Sequence, residues 1–139
     1  YQPGELTAIA RGPGREQAHS TLRTAKQPFH LHAISDRSML RPDGTDLAYV
    51  EITLQDDNGT VPTDHDQAIS ISVEGAGILA GFGSARPQTE ECFGGSTYTT
   101  YEGRVLAIIR SFEEGEIRIR ISAEGCTSLH IELQSKQLE

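Results

Sequence analysis

One stretch constrains this chain more than any other. In "LAYVEITLQ", Ala48, Val50, Ile52 and Leu54 alternate with Tyr49, Glu51, Thr53 and Gln55. A period of two is the repeat of a β-strand, whose successive side chains point to opposite faces, whereas a helix needs apolar residues three and four apart. The stretch therefore reads as a strand with one face in a core and one in water. Its flanks agree, since "PDGTD" and "DDNG" are rich in the Gly and Asx residues that favour turns. On this reading Asp43, Asp46, Asp56 and Asp57 punctuate the strand, and Glu51 points outward. The same alternation returns in "EIRIRISAE", where Ile117, Ile119 and Ile121 oppose Arg118, Arg120 and Ser122.

The β signal runs the length of the chain. "GELTAIAR" and "EQAHSTLRTA", joined by "GPGR", predict a hairpin over residues 4–25. Further strands are expected in "FHLHAISDR", in "AISISVE" with Ile69, Ile71 and Val73 on one face, around Ile78 to Phe82, and in "STYTTYEG", "RVLAIIRSF" and "TSLHIELQS". No segment carries a helical period. Short strands at spacings of roughly 8 to 12 residues, separated by turn signals, predict an all-β chain: an immunoglobulin-like Greek-key β-sandwich preceded by a β-hairpin. The absence of Trp and the placing of Cys92 and Cys126 exclude the antibody-like subclass.

At 139 residues the chain is one domain, or one domain with a fragment attached. Twelve Lys and Arg against 20 Asp and Glu give a net charge of −8, a poor match to a polyanion, so no nucleic-acid partner is expected. No apolar run reaches about 18 residues, so no membrane partner is expected either. "YQPGEL" holds neither an initiator Met nor an export signal, which reads as the start of a piece cut from a longer polypeptide. The two cysteines leave a disulfide open.

No group of residues assembles a complete active site on paper. His30 and His32 share a strand face, as two metal ligands would, but no third ligand follows at a telling distance, and a wet outer face explains them. Asp64, His65 and Asp66 are loop neighbours that read as solvated. "QDDNG" fails the calcium-loop spacing, because Leu54 would take the first ligand position. Glu90 and Glu91 are adjacent, so on an extended chain they point apart, whereas glycoside hydrolysis needs two carboxyls facing across a bond. Tyr98 and Tyr101, three apart, face opposite sides of a strand; one belongs to the core, and Tyr98 is the candidate platform for a sugar ring.

"YQPGELTAIA", "LRPDGTDLAYVEITLQDDNGTVP", "GAGILAGFGSARPQTEECFGG" and "YEGRVLAIIRS", taken in order, resemble the C-terminal part of bacterial β-galactosidases of glycoside hydrolase family 2. In that family a "PGxLxAxA" strand closes a small β domain, and a hairpin ending in "LRTA" leads into the last sandwich. Tyr101, Glu102 and Gly103 stand where the family commonly has Phe, Asn and Gly. Gly83 to Pro87, "GSARP", departs from the family's "NGDP" and lacks its acid, which weakens any polar site in that loop.

The resemblance implies a hairpin over residues 1–26, left from the preceding domain, and a sandwich domain over residues 27–139. It implies an accessory domain with no catalytic residue, cofactor or metal of its own, because the family's catalytic glutamates belong to a TIM barrel that this chain does not match. The implied partners are the other domains of the parent hydrolase, with a contact to a second copy left open. The compartment stays unknown, periplasmic or extracellular placement of the parent being favoured over cytoplasmic. The alternatives are a bacterial Ig-like adhesion or spacer repeat, which shares the "DGxxxAxVxVxVxDxxGxxVP" pattern, and a carbohydrate-binding module. The second half of the chain follows the hydrolase pattern rather than the repeat, and 4 Tyr, 4 Phe and no Trp leave little for a sugar platform.

Overall fold

The computed structural model describes residues 2–138, without the side chains of residues 16 and 17. Eleven strands run through them: β1 (Glu5–Gly12), β2 (Arg15–Arg23), β3 (His30–Ser35), β4 (Met39–Leu40), β5 (Leu47–Gln55), β6 (Ala68–Gly75), β7 (Gly77–Gly83), β8 (Thr97–Thr99), β9 (Arg104–Ser111), β10 (Gly115–Ala123) and β11 (Leu129–Ser135). No helix occurs among the described residues.

Two sheets make the sandwich, with strand orders β3-β5-β9-β7 and β4-β11-β10-β6-β8. All strand pairings are antiparallel except that of β4 with β11. The first strand of the sandwich is thus split: β3 lies in one sheet, and β4 crosses to the other and pairs in parallel with the last strand. This is the immunoglobulin-like sandwich that the alternation predicts.

The core is the set of inward residues that the period of two selects. Val50, Ile52 and Leu54 of β5 and Val105, Ala107 and Ile109 of β9 face Ile69 and Ile71 of β6 and Ile117, Ile119 and Ile121 of β10, all buried. Burying each of the larger side chains contributes roughly 1.5–3 kcal/mol. Phe82, Tyr98 and Leu40, on the edge strands β7, β8 and β4, belong to the same buried cluster.

The hairpin stands apart. β1 and β2 pair with each other from Glu5↔Arg23 to Gly12↔Arg15, and form a two-stranded sheet of their own. Leu6 and Leu22, directly opposite each other, are each 70% exposed. A lone two-stranded ribbon is marginal in water, so its apolar residues mark a face that lacks cover. At its base the Lys26 amide donates to the carboxylate of Asp56 in the β5–β6 loop, and Thr63 of that loop lines a cleft with Leu6 and Leu22.

Candidate interaction site

The two sheets turn very different outer faces to solvent. On the five-stranded sheet the outward positions of β6, β10 and β11 hold Ser70, Ser72, Glu74, Arg118, Arg120, His130 and Glu132. On the four-stranded sheet Tyr49 lies opposite Ile108, Glu51 opposite Leu106, and Ile34 opposite Glu51. Ile34, Tyr49, Leu106 and Ile78 are all exposed there.

This apolar face deepens into a groove of about 610 Å³ beside β7. The register explains the hollow: Gly83 lies opposite Leu106 and Gly81 opposite Ile108, so two positions on the same face of β7 carry no side chain. A bulge between Leu79 and Gly81 re-aims the strand at this point. Phe93 forms one wall. Its carbonyl accepts from the Phe82 amide at 2.8 Å, and its ring stacks at 9° on Tyr98 with centroids 5.5 Å apart. A Cβ on Gly83 would run into that ring, so the absence of one is what lets Phe93 lie down over the strand, still 58% exposed.

The mouth of the groove is polar. Arg104 Nη1 donates to Glu51 Oε1 at 2.6 Å. Beside it Glu102 and Gly103 have φ of 51° and 73°, and Tyr101 and Arg104 exchange both backbone hydrogen bonds at 3.0 and 3.1 Å. Two positive φ values between paired strand ends make a tight type I′-like turn. The turn packs on the β5–β6 loop, where a Cβ on Gly103 would meet the Pro62 carbonyl at 2.6 Å. Arg86 supports it from below: Nη2 bonds Asp66 Oδ2 at 2.7 Å and the Thr100 carbonyl at 3.3 Å, and the guanidinium lies 5.7 Å from the centre of the Tyr101 ring.

The structure disperses the residues that the sequence singles out. Tyr98 is fully buried between Phe82 and Phe93, so it offers no ring face to a sugar. The reading of Tyr98 as a platform is therefore corrected: its strand turns that position inward, and Phe93 from the neighbouring loop takes the exposed place. Tyr101 is half-buried at the groove. His30 and His32 lie on the outer face, where His30 Nε2 and Asp57 Oδ1 are 2.5 Å apart. Among the described residues no group of three or more His, Cys, Asp or Glu is placed to hold a metal ion.

The loop candidates have structural partners. His65 packs its ring 4.9 Å from Phe29, and Asp66 holds Arg86. Glu91 Oε1 accepts from the Thr99 amide and hydroxyl, both at 2.8 Å. Cys92 and Cys126 are free thiols, with Cys126 Sγ donating to the Phe29 carbonyl at 3.4 Å.

Phe93 and the groove that it walls carry no mark in the sequence, where Glu102 is notable only for standing at the family's Asn position. The signal that could have found them is the pair Gly81 and Gly83, two apart on one strand face, followed by a lone aromatic residue in a glycine-rich loop.

Residues 31–132 match the model of glycoside hydrolase family 2 C-terminal domain 5. The chain belongs to this family. It is 27% identical over 99% of its length to the β-galactosidase BoGH2A of Bacteroides ovatus, and 29% identical over 86% to a β-galactosidase of Thermoanaerobacter pseudethanolicus. A crystal structure of a glycosyl hydrolase family 2 member from Bacteroides cellulosilyticus superposes on 99% of the chain with a TM-score of 0.91 at 27% identity. That likeness takes in the hairpin as well as the sandwich. The chain spans only 16% and 17% of the two curated relatives and 18% of the solved one. What it matches is thus a small C-terminal domain of these much longer proteins, in accord with the resemblance carried by its motifs.

Proposed function

We propose that this chain is the non-catalytic C-terminal domain of a β-galactosidase-like enzyme, and that it supports the domain in which the glycosidic bond is cleaved. Residues 27–139 form the accessory sandwich, and residues 1–26 are the closing hairpin of the domain before it. The observation that carries this reading is the hairpin itself: Leu6 and Leu22 stand uncovered on a two-stranded ribbon, while the match to BoGH2A runs through the same residues and on through nearly the whole chain. A ribbon with bare edges and a bare face needs the rest of its sheet. Its partners are then the other domains of the parent polypeptide.

The test is an assay of hydrolysis of an aryl β-galactoside by this chain alone and by the polypeptide encoded with the sequence upstream of Tyr1. The expected result is no turnover by the chain and turnover by the longer protein, whose upstream part holds a barrel with two glutamates at strand ends. Tandem copies of the sandwich upstream, with no barrel, would overturn the reading.

A further inference from the structure

We infer that the groove between β7, β9 and Phe93 is the surface on which a preceding domain of the same polypeptide docks. The inference rests on the reading that the chain is part of a longer hydrolase, and it goes on to specify which face is covered and by what.

Four observations lead there. The outer face of the five-stranded sheet is wet, carrying Glu74, Arg118, Arg120 and Glu132, whereas the four-stranded sheet exposes Ile34, Tyr49, Leu106 and Ile78 together. Exposed apolar side chains gathered on one face, here set around the Glu51–Arg104 pair, mark an interaction site. The groove floor is made by Gly81 and Gly83; the Phe93 ring fills the space over Gly83, whereas at Gly81 an added Cβ would come no nearer than 3.7 Å to Ile108 Cδ1, so the floor stays open to a close approach there.

Position identifies the occupant. The hairpin meets the sandwich at Thr63, and the neighbouring Pro62 packs on Gly103, so the mouth of the groove at Glu102 lies at the end where the chain enters the sandwich. Whatever precedes the hairpin is tethered at that end, and a short tether gives it a high effective concentration over the groove. Length supplies the last argument, since the chain accounts for under a fifth of its relatives and the rest of such a polypeptide has surface to place there. The chemistry of the groove asks for aliphatic or aromatic side chains against Leu106, Ile108 and Phe93, with a cationic or amide donor for the Glu102 carboxylate at the rim.

Hydroxyl-radical footprinting read by mass spectrometry tests this on the full-length parent and on this chain alone. Phe93, Tyr49 and Leu106 are expected to oxidise several-fold more slowly in the parent, while Met39 and His130 on the other sheet react alike in both. A second measurement uses Leu106→Asp: the exposed site tolerates it in the chain alone, but it lowers the melting temperature of the parent and restores oxidation at Phe93. Equal oxidation of Phe93 and Leu106 in both proteins would overturn the inference even where the parent holds its barrel. So would protection that appears in the chain alone, either as its concentration rises or on adding a galacto-oligosaccharide. The first would assign the groove to a second copy, the second to a sugar.

Discussion

The backbone amide of Lys26 donates to Oδ2 of Asp56 at 3.1 Å, joining residues thirty positions apart. Oδ1 of the same carboxylate accepts from the amides of Asn58 and Thr60, both at 2.9 Å. One side chain therefore folds the β5–β6 turn and ties the hairpin's exit to it.

Asp56→Ala leaves three amides without that acceptor, and unmade hydrogen bonds of this kind cost more than made ones contribute. The melting temperature followed by circular dichroism should fall by several degrees, with Asp56→Asn in between. A chain starting at residue 27 lacks the Lys26 amide and should melt lower than one starting at residue 24, while both unfold cooperatively. A sandwich that fails to fold without residues 1–26 would contradict the boundary drawn at residue 27.

Acid should expose the same chemistry. The Thr45 backbone amide, then its hydroxyl and the Asp46 amide, hold Asp43 at about 2, and the Thr60 amide is the chief group holding Asp56 below its usual value. Both folded-state values are depressed, so the stability they confer is fully present above the ordinary carboxyl range and is lost as pH falls through it towards 2. Melting temperatures measured from pH 6 to 2 should decline most steeply below about 4. Asp43→Asn should start lower and decline less.

The turn at Glu102 carries avoidable strain. Left-handed backbone costs a non-glycine residue roughly 1–2 kcal/mol, and asparagine bears it more readily than glutamate. Glu102→Asn should raise unfolding stability by roughly 0.5–1 kcal/mol in a urea titration. No gain, or a loss, would mean that the Glu102 side chain contributes more than its backbone costs.

Tyr98 separates packing from polarity. Its hydroxyl is buried with no hydrogen-bond partner in the structure, so Tyr98→Phe should be neutral or stabilising. Tyr98→Ala should cost about 3–5 kcal/mol by opening a cavity beneath Phe93. A marked loss in Tyr98→Phe would show that the hydroxyl has a partner in solution.

The thiols should react unequally. Cys92 is exposed, whereas burial pushes the Cys126 thiol up from its ordinary value and lowers its thiolate fraction. Iodoacetamide labelling of the native chain should modify Cys92 first, and non-reducing mass analysis should find both free.

The sandwich was legible because its strands are two-faced. Ile52 and Ile119 are buried where the period of two puts them, and Glu51 points out to Arg104. What depends on distant pairing was not legible. The two residues of β4 are too few to show a period, and they exist as a strand only because Gln134 and Ser135 lie beside them. The direction of Tyr98 was equally hidden, since alternation says that neighbours face opposite ways but not which way is inward until Ile69 is known to lie opposite. The turn roles of Asp43 and Asp56 could be read from local chemistry, but the reach of Asp56 to Lys26 could not, because that bond closes a loop of thirty residues.

The contrast between the two outer faces bears on how such a module can be reused. A bead threaded in series through water must be wettable all round, and the Arg118 side of this one is, whereas the opposite side sets Ile34, Tyr49, Ile78 and Leu106 among its charges. Spliced into an unrelated chain as a spacer, it would carry Leu106 and Phe93 bare into water, a flank that invites association between copies.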